Sequence, residues 1–357
     1  MNQDVVIVGA GIAGCVLARQ LAADGWRVAL VGRPRAASWE GLSPRAYEGF
    51  HRVGCRHAAA LCATPSPRRG IWNGQPSAAN SEFLFFRPDL DAALRADAAD
   101  AGAQVIEATV TALERTGHGW TAHVPGQPPI TATFAVEARG RSALPHAPTG
   151  WTGPRTVALA RQFAMAAPIP HASGIGSFAN GWAWFATFGQ SRLVVQLVVD
   201  SVVGAAVSHY SRLLSDAVRD VPPLAALLDG ATPVDGVSAR DATPRLAGEM
   251  TGPGFLRLGD AAYAPDPLSG QGIYEAVGGA MTAYRHVTTA LTRPTESDVS
   301  ARFVRERVTE RFARLAAVGR EFYRGETRWP DRPFWRNRAE LDLSGLPSLP
   351  PVTGSPS

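Results

Sequence analysis

The first apolar run, Val5-Val6-Ile7-Val8, is continuous rather than alternating, which predicts a strand buried on both faces of a parallel sheet. Glycines interrupt it at once, and apolar positions then recur with helical spacing through Val16, Leu17 and Leu21 to Gly25. A second strand is predicted over 28–31, and another over 83–86, followed by Arg87 and an amphipathic helix over 90–101 that stops at Gly102. The Pro/Ser/Arg stretch 64–69 is expected as a loop, with Arg68 and Arg69 as surface charge. Strands follow around 105–113, 120–124 and 130–136, with His118 and His123 in a surface hairpin. From 145 to 243 the pattern changes to long strands, 157–165, 181–188 and 193–200, with helices around 207–218 and 223–228. A short strand, 255–258, leads through a proline-punctuated turn into a helix over 270–291. The stretch 297–322 is amphipathic, with Phe303, Val304, Val308, Phe312, Leu315 and Phe322 as its apolar positions. An aromatic segment, 328–335, is expected to dock on the body.

Composition narrows this picture. At 357 residues the chain exceeds a typical single domain, and 45% hydrophobic residues suffice for a full core. The most apolar helix carries Glu275, Arg285 and His286, so no membrane span is expected. The first strand begins almost at Met1, leaving no room for a signal peptide, and a cytoplasmic protein is expected. Cys15, Cys55 and Cys62 have no metal-ligand spacing, and no metal is expected. The chain contains no lysine, so all 35 basic residues are arginine, and the net charge of +4 is modest. The arginine-rich helix 297–322 is balanced by Glu306, Glu310 and Glu321, which argues for a solvated face and against a nucleic-acid partner.

Two stretches carry chemistry. Gly9-x-Gly11-x-x-Gly14 sits between a strand and a helix, with a second strand after it. In that setting Gly9 makes the tight turn, Gly11 lets backbone approach a pyrophosphate, and Gly14 lets helix and strand pack closely, beside Ile12 and Ala13. The second strand lacks the Asp or Glu that would hold an adenosine ribose; Gly32 stands there, followed by Arg33 and Arg35. Arginines at that place accommodate a 2′-phosphate, so NADP remains open for this half of the site. The other stretch runs Gly259-Asp260 to Pro267-Leu268-Ser269-Gly270-Gln271-Gly272-Ile273. Its carboxylate at a strand end suits a polyol, and its glycines let a helix N-terminus approach an anion. One dinucleotide held by both stretches is the simpler account. Arg45 is read equally as a phosphate contact or a surface charge, and Trp182 and Trp184, on one face of a strand, equally as core or pocket wall. No residue is identified as a general base; His171, His209 and His286 are candidates, and the catalytic residue is unassigned.

Together, Gly9-x-Gly11-x-x-Gly14, Arg87, Glu137-Ala138-Arg139-Gly140 and Gly259-Asp260…Pro267…Gly272 resemble the para-hydroxybenzoate-hydroxylase-type FAD superfamily. That group includes aromatic hydroxylases, flavin-dependent halogenases and geranylgeranyl-reductase-like proteins. The resemblance implies an α/β fold: a Rossmann-like FAD-binding domain (1–145 and 241–292) with an inserted β-sheet-rich substrate domain (146–240). A C-terminal helical and aromatic docking segment (293–340) and a disordered tail (341–357) complete it. By the same resemblance Asp260 binds the ribityl chain, Gly272 and Ile273 lie beneath the pyrimidine side of the flavin, and Arg87 helps hold the cofactor. Val110 is expected beside it. The family's Asp-Ala-Thr-Gly is here Glu137-Ala138-Arg139-Gly140, a departure at that contact.

The variant Asp266-Pro267-Leu268-Ser269-Gly270-Gln271-Gly272-Ile273 and the Trp329–Trp335 segment are similar to the tryptophan-modifying flavoprotein monooxygenases of cysteine tryptophylquinone maturation. What this implies is hydroxylation of an aromatic ring, indole among them, free or peptide-bound, through a C4a-hydroperoxyflavin. NAD(P)H would supply electrons directly or through a flavin reductase. Three rivals are weighed. Flavin-dependent halogenases share the Trp-x-Trp strand but use an essential lysine, which this chain lacks. A reductase of isoprenoid double bonds would need no O₂. A flavin-binding maturation factor would grip a partner peptide without turnover.

Overall fold

The computed structural model describes residues 2–62, 64–117, 119–143, 149–189, 191–200 and 208–347. His118 and most of the expected tail lie outside the described residues.

The continuous apolar runs pair in the middle of a parallel sheet. Asn2–Val8 lies between Ile130–Glu137 and Val28–Val31, with Val8 level with Glu137 on one side and Val31 on the other. Gln104–Ile106 extends one edge and Phe255–Arg257 the other. Val5 and Ile7 face the helices Ile12–Ala23, Arg87–Asp100 and Gly272–Thr292, burying Leu17, Leu94 and Val287. Val6 and Val8 face the opposite side with Ala122 and Val124, at the end of an antiparallel hairpin, Ala112–Thr116 and Gly119–His123. The result is the expected Rossmann-like sheet, its two-faced burial following from the unbroken apolar runs.

A second, nine-stranded sheet runs from Thr156–Ala164 through Arg192–Asp200, Gly181–Phe188, Ala172–Phe178, Ser66–Trp72 and Gln75–Phe86 to Trp39–Leu42. It draws strands from 39–86 as well as from 156–241. Alternation along Gly181–Phe188 sorts its side chains. Ala183 and Phe185 pack against the helices Tyr210–Asp220 and Pro222–Leu228, whereas Trp182 and Trp184 face Tyr323, Phe334 and Trp335.

The chain ends by sealing that second face. After the helix Ser297–Arg324, the short helix Pro333–Ala339 buries Phe334 and Trp335, contributing roughly 2–3 kcal/mol each. The Trp335 indole donates to the Phe178 carbonyl (3.1 Å), and buried Arg338 donates to Asp200 and to the Thr156 hydroxyl (2.7 Å each).

Two expectations are corrected. The stretch 64–69 enters a strand, because Asn73 and Gly74 take positive φ (51° and 70°) and close a two-residue hairpin with Trp72 opposite Gln75. Phe303 and Phe322 are exposed. Each is next to a buried residue, Val304 and Tyr323, and one residue turns a helix about 100°, off the buried stripe.

His286 is buried in the helix Gly272–Thr292, its Nδ1 2.8 Å from the Ser300 hydroxyl. Burial, then Arg305, lowers its pKa from 6.5 to about 4. Below pH 6.5 the unfolded chain therefore takes up a proton that the folded chain refuses, and stability is lost as the pH falls towards 4. Melting temperatures measured between pH 7.5 and 5 should fall less steeply for His286→Gln than for the parent chain.

Candidate active site

Three parallel strands end side by side, and the site begins there. The Ala138 amide donates to the Val8 carbonyl (2.7 Å) and the Leu258 amide to the Glu137 carbonyl (2.9 Å). Gly9, at φ 120°, packs so closely that a Cβ would overlap the Ala138 carbonyl. Gly259, at φ 62°, would place a Cβ 3.0 Å from that of Ala13. Asp260 follows, half exposed, 3.5 Å from the Arg141 guanidinium. The glycine-rich turn and the later carboxylate thus converge, although about 250 residues separate them in sequence. Buried Glu137 turns back onto the Arg139 amide (3.0 Å) and guanidinium, and Arg139 also donates to the carbonyl of buried Val110 (3.0 Å). This internal pair accounts for the Glu-Ala-Arg-Gly departure.

The helix Ile12–Ala23 opens at Gly11 with no side-chain cap and no acidic residue in its first turn, while Ile12 and Ala13 are buried. Its first N–H groups and positive dipole end fit an anion. Arg87 stands beside them. Its Nε donates to Asp91 (2.8 Å) and its Nη1 to Glu40 (3.1 Å), and its Nη2 is 4.0 Å from where a Cβ on Gly11 would lie. Burial opposes the charge on Glu40, but Arg87, then Arg35, the Ser38 hydroxyl and Arg240, outweigh it and hold its carboxyl below the usual range. A side chain at Gly32 would overlap the Ala10 backbone, so the absent acidic residue has no room there. Arg33, next to it, is exposed.

A cavity of about 990 Å³ opens beside this junction. One wall is the nine-stranded sheet, presenting Trp182 and Trp184; another is the turn Pro267–Ser269 with the helix start Gly270 to Ile273. Gly270 is left-handed (φ 58°), the Gln271 side chain makes no capping bond although its backbone amide donates to the Ser269 hydroxyl (3.3 Å), and nothing lies within 4 Å of a Cβ placed on Gly270 or Gly272. Asp266 is locked behind them, accepting from the Leu268 amide and the Tyr323 hydroxyl (2.9 Å each), and burial raises its pKa. Tyr323 in turn accepts from the Trp182 indole (3.3 Å).

Of the sequence-predicted residues, Arg45, Trp182, Trp184, Pro267, Gly270, Gln271, Gly272 and Ile273 line this cavity. Gly9, Gly11, Ile12, Ala13, Gly14, Arg87, Val110, Gly259 and Asp260 gather at the strand ends, and Arg33 stands apart. His171 and His209 are exposed, and none of the three candidate histidines lines the cavity. Arg68, expected as surface charge, lines it, as do Glu82 and Arg240, which were not singled out. The Asn73-Gly74 turn was the available signal for the hairpin, and a bulge between Arg68 and Gly70 then sets Arg68 opposite Asn80 and Ser66 opposite Glu82.

Comparison with known proteins agrees with this geometry. Residues 4–64 match the model of the FAD dependent oxidoreductase family. The structure of the peptidyl tryptophan dihydroxylase QhpG, essential for tryptophylquinone cofactor biogenesis, superposes with a TM-score of 0.84 and 36% identity, covering 95% of this chain and 79% of that one. The chain belongs to the FAD-dependent monooxygenase family. Two more distant relatives of this monooxygenase are a tryptophan 2-halogenase of Chondromyces crocatus and digeranylgeranylglycerophospholipid reductase 1 of Methanosphaera stadtmanae. The first is 23% identical over 93% of this chain and 69% of the relative, the second 26% over 79% and 74%. The resemblance drawn from four short motifs therefore holds along the chain.

The Arg87 cluster makes a specific demand on stability. Arg87→Met should cost about 3 kcal/mol in urea unfolding, because Glu40 and Asp91 lose their shared cation in a buried setting. Adding Glu40→Gln to that variant should recover part of the loss.

Proposed function

We propose that this FAD-dependent monooxygenase hydroxylates an aromatic ring, with the indole of a tryptophan, free or in a peptide, as its substrate class. The observation that carries the reading is one cavity with Trp182 and Trp184 on one wall and an uncapped helix start on another. Its volume of about 990 Å³ exceeds what an indole alone needs. The 36% identity to a peptidyl tryptophan dihydroxylase supports the same substrate class.

In this reading Gly9 to Gly14 and the first turn of the helix Ile12–Ala23 cradle the pyrophosphate, with Arg87 beside them. Asp260 accepts from the ribityl hydroxyls. Gly272 and Ile273 direct N–H groups and a positive dipole end at the pyrimidine edge of the ring system, favouring negative charge there. Bound FAD supplies oxygen activation, with NAD(P)H as the electron source, directly or through a flavin reductase. The two tryptophans exclude water and present flat apolar faces against which an aromatic substrate stacks. A halogenase reading has less support, since no lysine is present to relay a hypohalous acid. Three free, buried cysteines suit a reducing compartment, and the cytoplasm is the location we propose.

The purified protein should show a flavin absorbance spectrum, and Asp260→Ala should lose most of that flavin while keeping its fold by circular dichroism. With reductant and a tryptophan-containing peptide, oxygen uptake should accompany a product heavier by one or two oxygen atoms. A chlorinated product that depends on chloride, or turnover without O₂, would replace this reading.

A further inference from the structure

The cavity contains a carboxylate that nothing above has used. Glu82 lies on Gln75–Phe86, next to the edge strand Trp39–Leu42, and is only 6% exposed. Its Oε1 accepts from the Trp184 indole at 3.1 Å. Its Oε2 lies over Gly41, where any Cβ would overlap it, so that glycine provides the room for the carboxylate. Gly41 and Glu82 both line the cavity.

Buried carboxylates are normally paired with a cation or saturated with donors. Glu82 has neither among the described residues. Arg45 and Arg68 share its cavity without forming an ion pair with it, and Arg87 and Arg240 are committed to Glu40, Asp91, Ser38 and backbone carbonyls. One oxygen is fixed by Trp184, and the other lies against Gly41 with no donor on it among the described residues, on the lining of the cavity where an aromatic substrate would stack. That is the arrangement of a positioned proton acceptor: one lone pair held for orientation, the other left for the reactant.

We propose that Glu82 is a catalytic residue that takes the ring N–H or O–H proton of the aromatic substrate as it is hydroxylated; this rests on the monooxygenase reading. When a ring carbon forms its bond to the incoming oxygen, the ring's π electrons make that bond and the ring becomes cationic. The oxygen comes from O₂, whose O–O bond breaks as the C–O bond forms; the reduced cofactor supplies the two electrons, and the second oxygen atom leaves as water. Glu82 forms an O–H bond with the substrate proton, and the electron pair of the broken N–H or O–H bond neutralises the ring. The hydroxylated carbon then loses its own hydrogen as a proton, its C–H electron pair restores the aromatic ring, and the nitrogen or oxygen regains a proton. The proton then passes from the carboxyl to solvent at the cavity mouth. Trp184 is the positioning residue, since its N–H fixes which oxygen is free.

Glu82→Gln is the test, because its amide oxygen can still accept from Trp184, so a merely structural role would survive. Flavin content should be unchanged. Hydroxylation of a tryptophan-containing peptide should fall roughly a hundredfold, with KM nearly unchanged and oxygen consumption diverted to hydrogen peroxide. Glu82→Asp should recover part of the rate. Full coupled turnover by Glu82→Gln would overturn the proposal.

A second arm needs no turnover, and so separates this proposal from the monooxygenase reading. 4-Nitrophenol titrated against the oxidised protein reports its own ionisation by absorbance. A facing carboxylate disfavours the phenolate, so the bound phenol should ionise about one pH unit lower, or further, in Glu82→Gln than in the parent chain. Equal midpoints, or no saturable binding, would overturn the assignment. Loss of the midpoint difference overturns Glu82 whatever the reaction is. A preserved difference with no hydroxylated product overturns the reaction and keeps Glu82 as a group that touches the ligand.

Discussion

The close approach of Gly9 to Ala138, and of Gly259 to Ala13, is the constraint on which the rest of the structure depends. Protein interiors are packed tightly enough that a methyl group at Gly9 would push the neighbouring strand end away, and one at Gly259 would press on the helix residue Ala13. With no Cβ there, three parallel strands stop level with one another. An uncapped helix start and the Gly259-Asp260 turn then meet at the strand ends, with Gly259 against Ala13. Each later feature is positioned from that junction. The helix Gly272–Thr292 packs on Ile12–Ala23, and the turn before it forms a wall of the cavity.

Arginine supplies the charge that holds the outer parts in place. Arg87, Arg139, Arg311 and Arg338 each engage more than one acceptor, or one carboxylate through more than one nitrogen. A planar guanidinium can do this with little further loss of freedom, whereas an ammonium on a flexible stem is a poorer bridge. Arg311 reaches Glu275, whose other oxygen accepts from the Tyr263 hydroxyl (2.5 Å), tying the long C-terminal helix to the start of Gly272–Thr292. These contacts sit behind the helix start, where a shift of one ångström would move the N–H groups that face the cavity.

Much of this was legible in the sequence. The continuous run Val5–Val8 and the spacing of Gly9, Gly11 and Gly14 specify a buried strand and its turn, since few other residues permit that geometry. The pair Trp182 and Trp184 follows from the two-residue period of a strand, although period alone does not say whether a face is core or pocket. The structure shows both: they pack with Tyr323 and Trp335 and also line the cavity. What was not legible came from distant pairing. The Asn73-Gly74 turn marks a hairpin but not that Pro67-Arg68-Arg69 becomes an interior strand, because its second partner, Ala172–Phe178, is about 100 residues away. Glu82 was invisible for the same reason; its meaning comes from Trp184 and Gly41, both remote in sequence.

The crowding of Gly32 against the Ala10 backbone has an evolutionary corollary. An acidic residue at that strand end would have to be accommodated by a shift of the glycine-rich turn. Descendants of this chain that keep the turn in place are therefore confined to other ways of gripping an adenosine. The exposed Arg33 next door is the position where substitution remains sterically free.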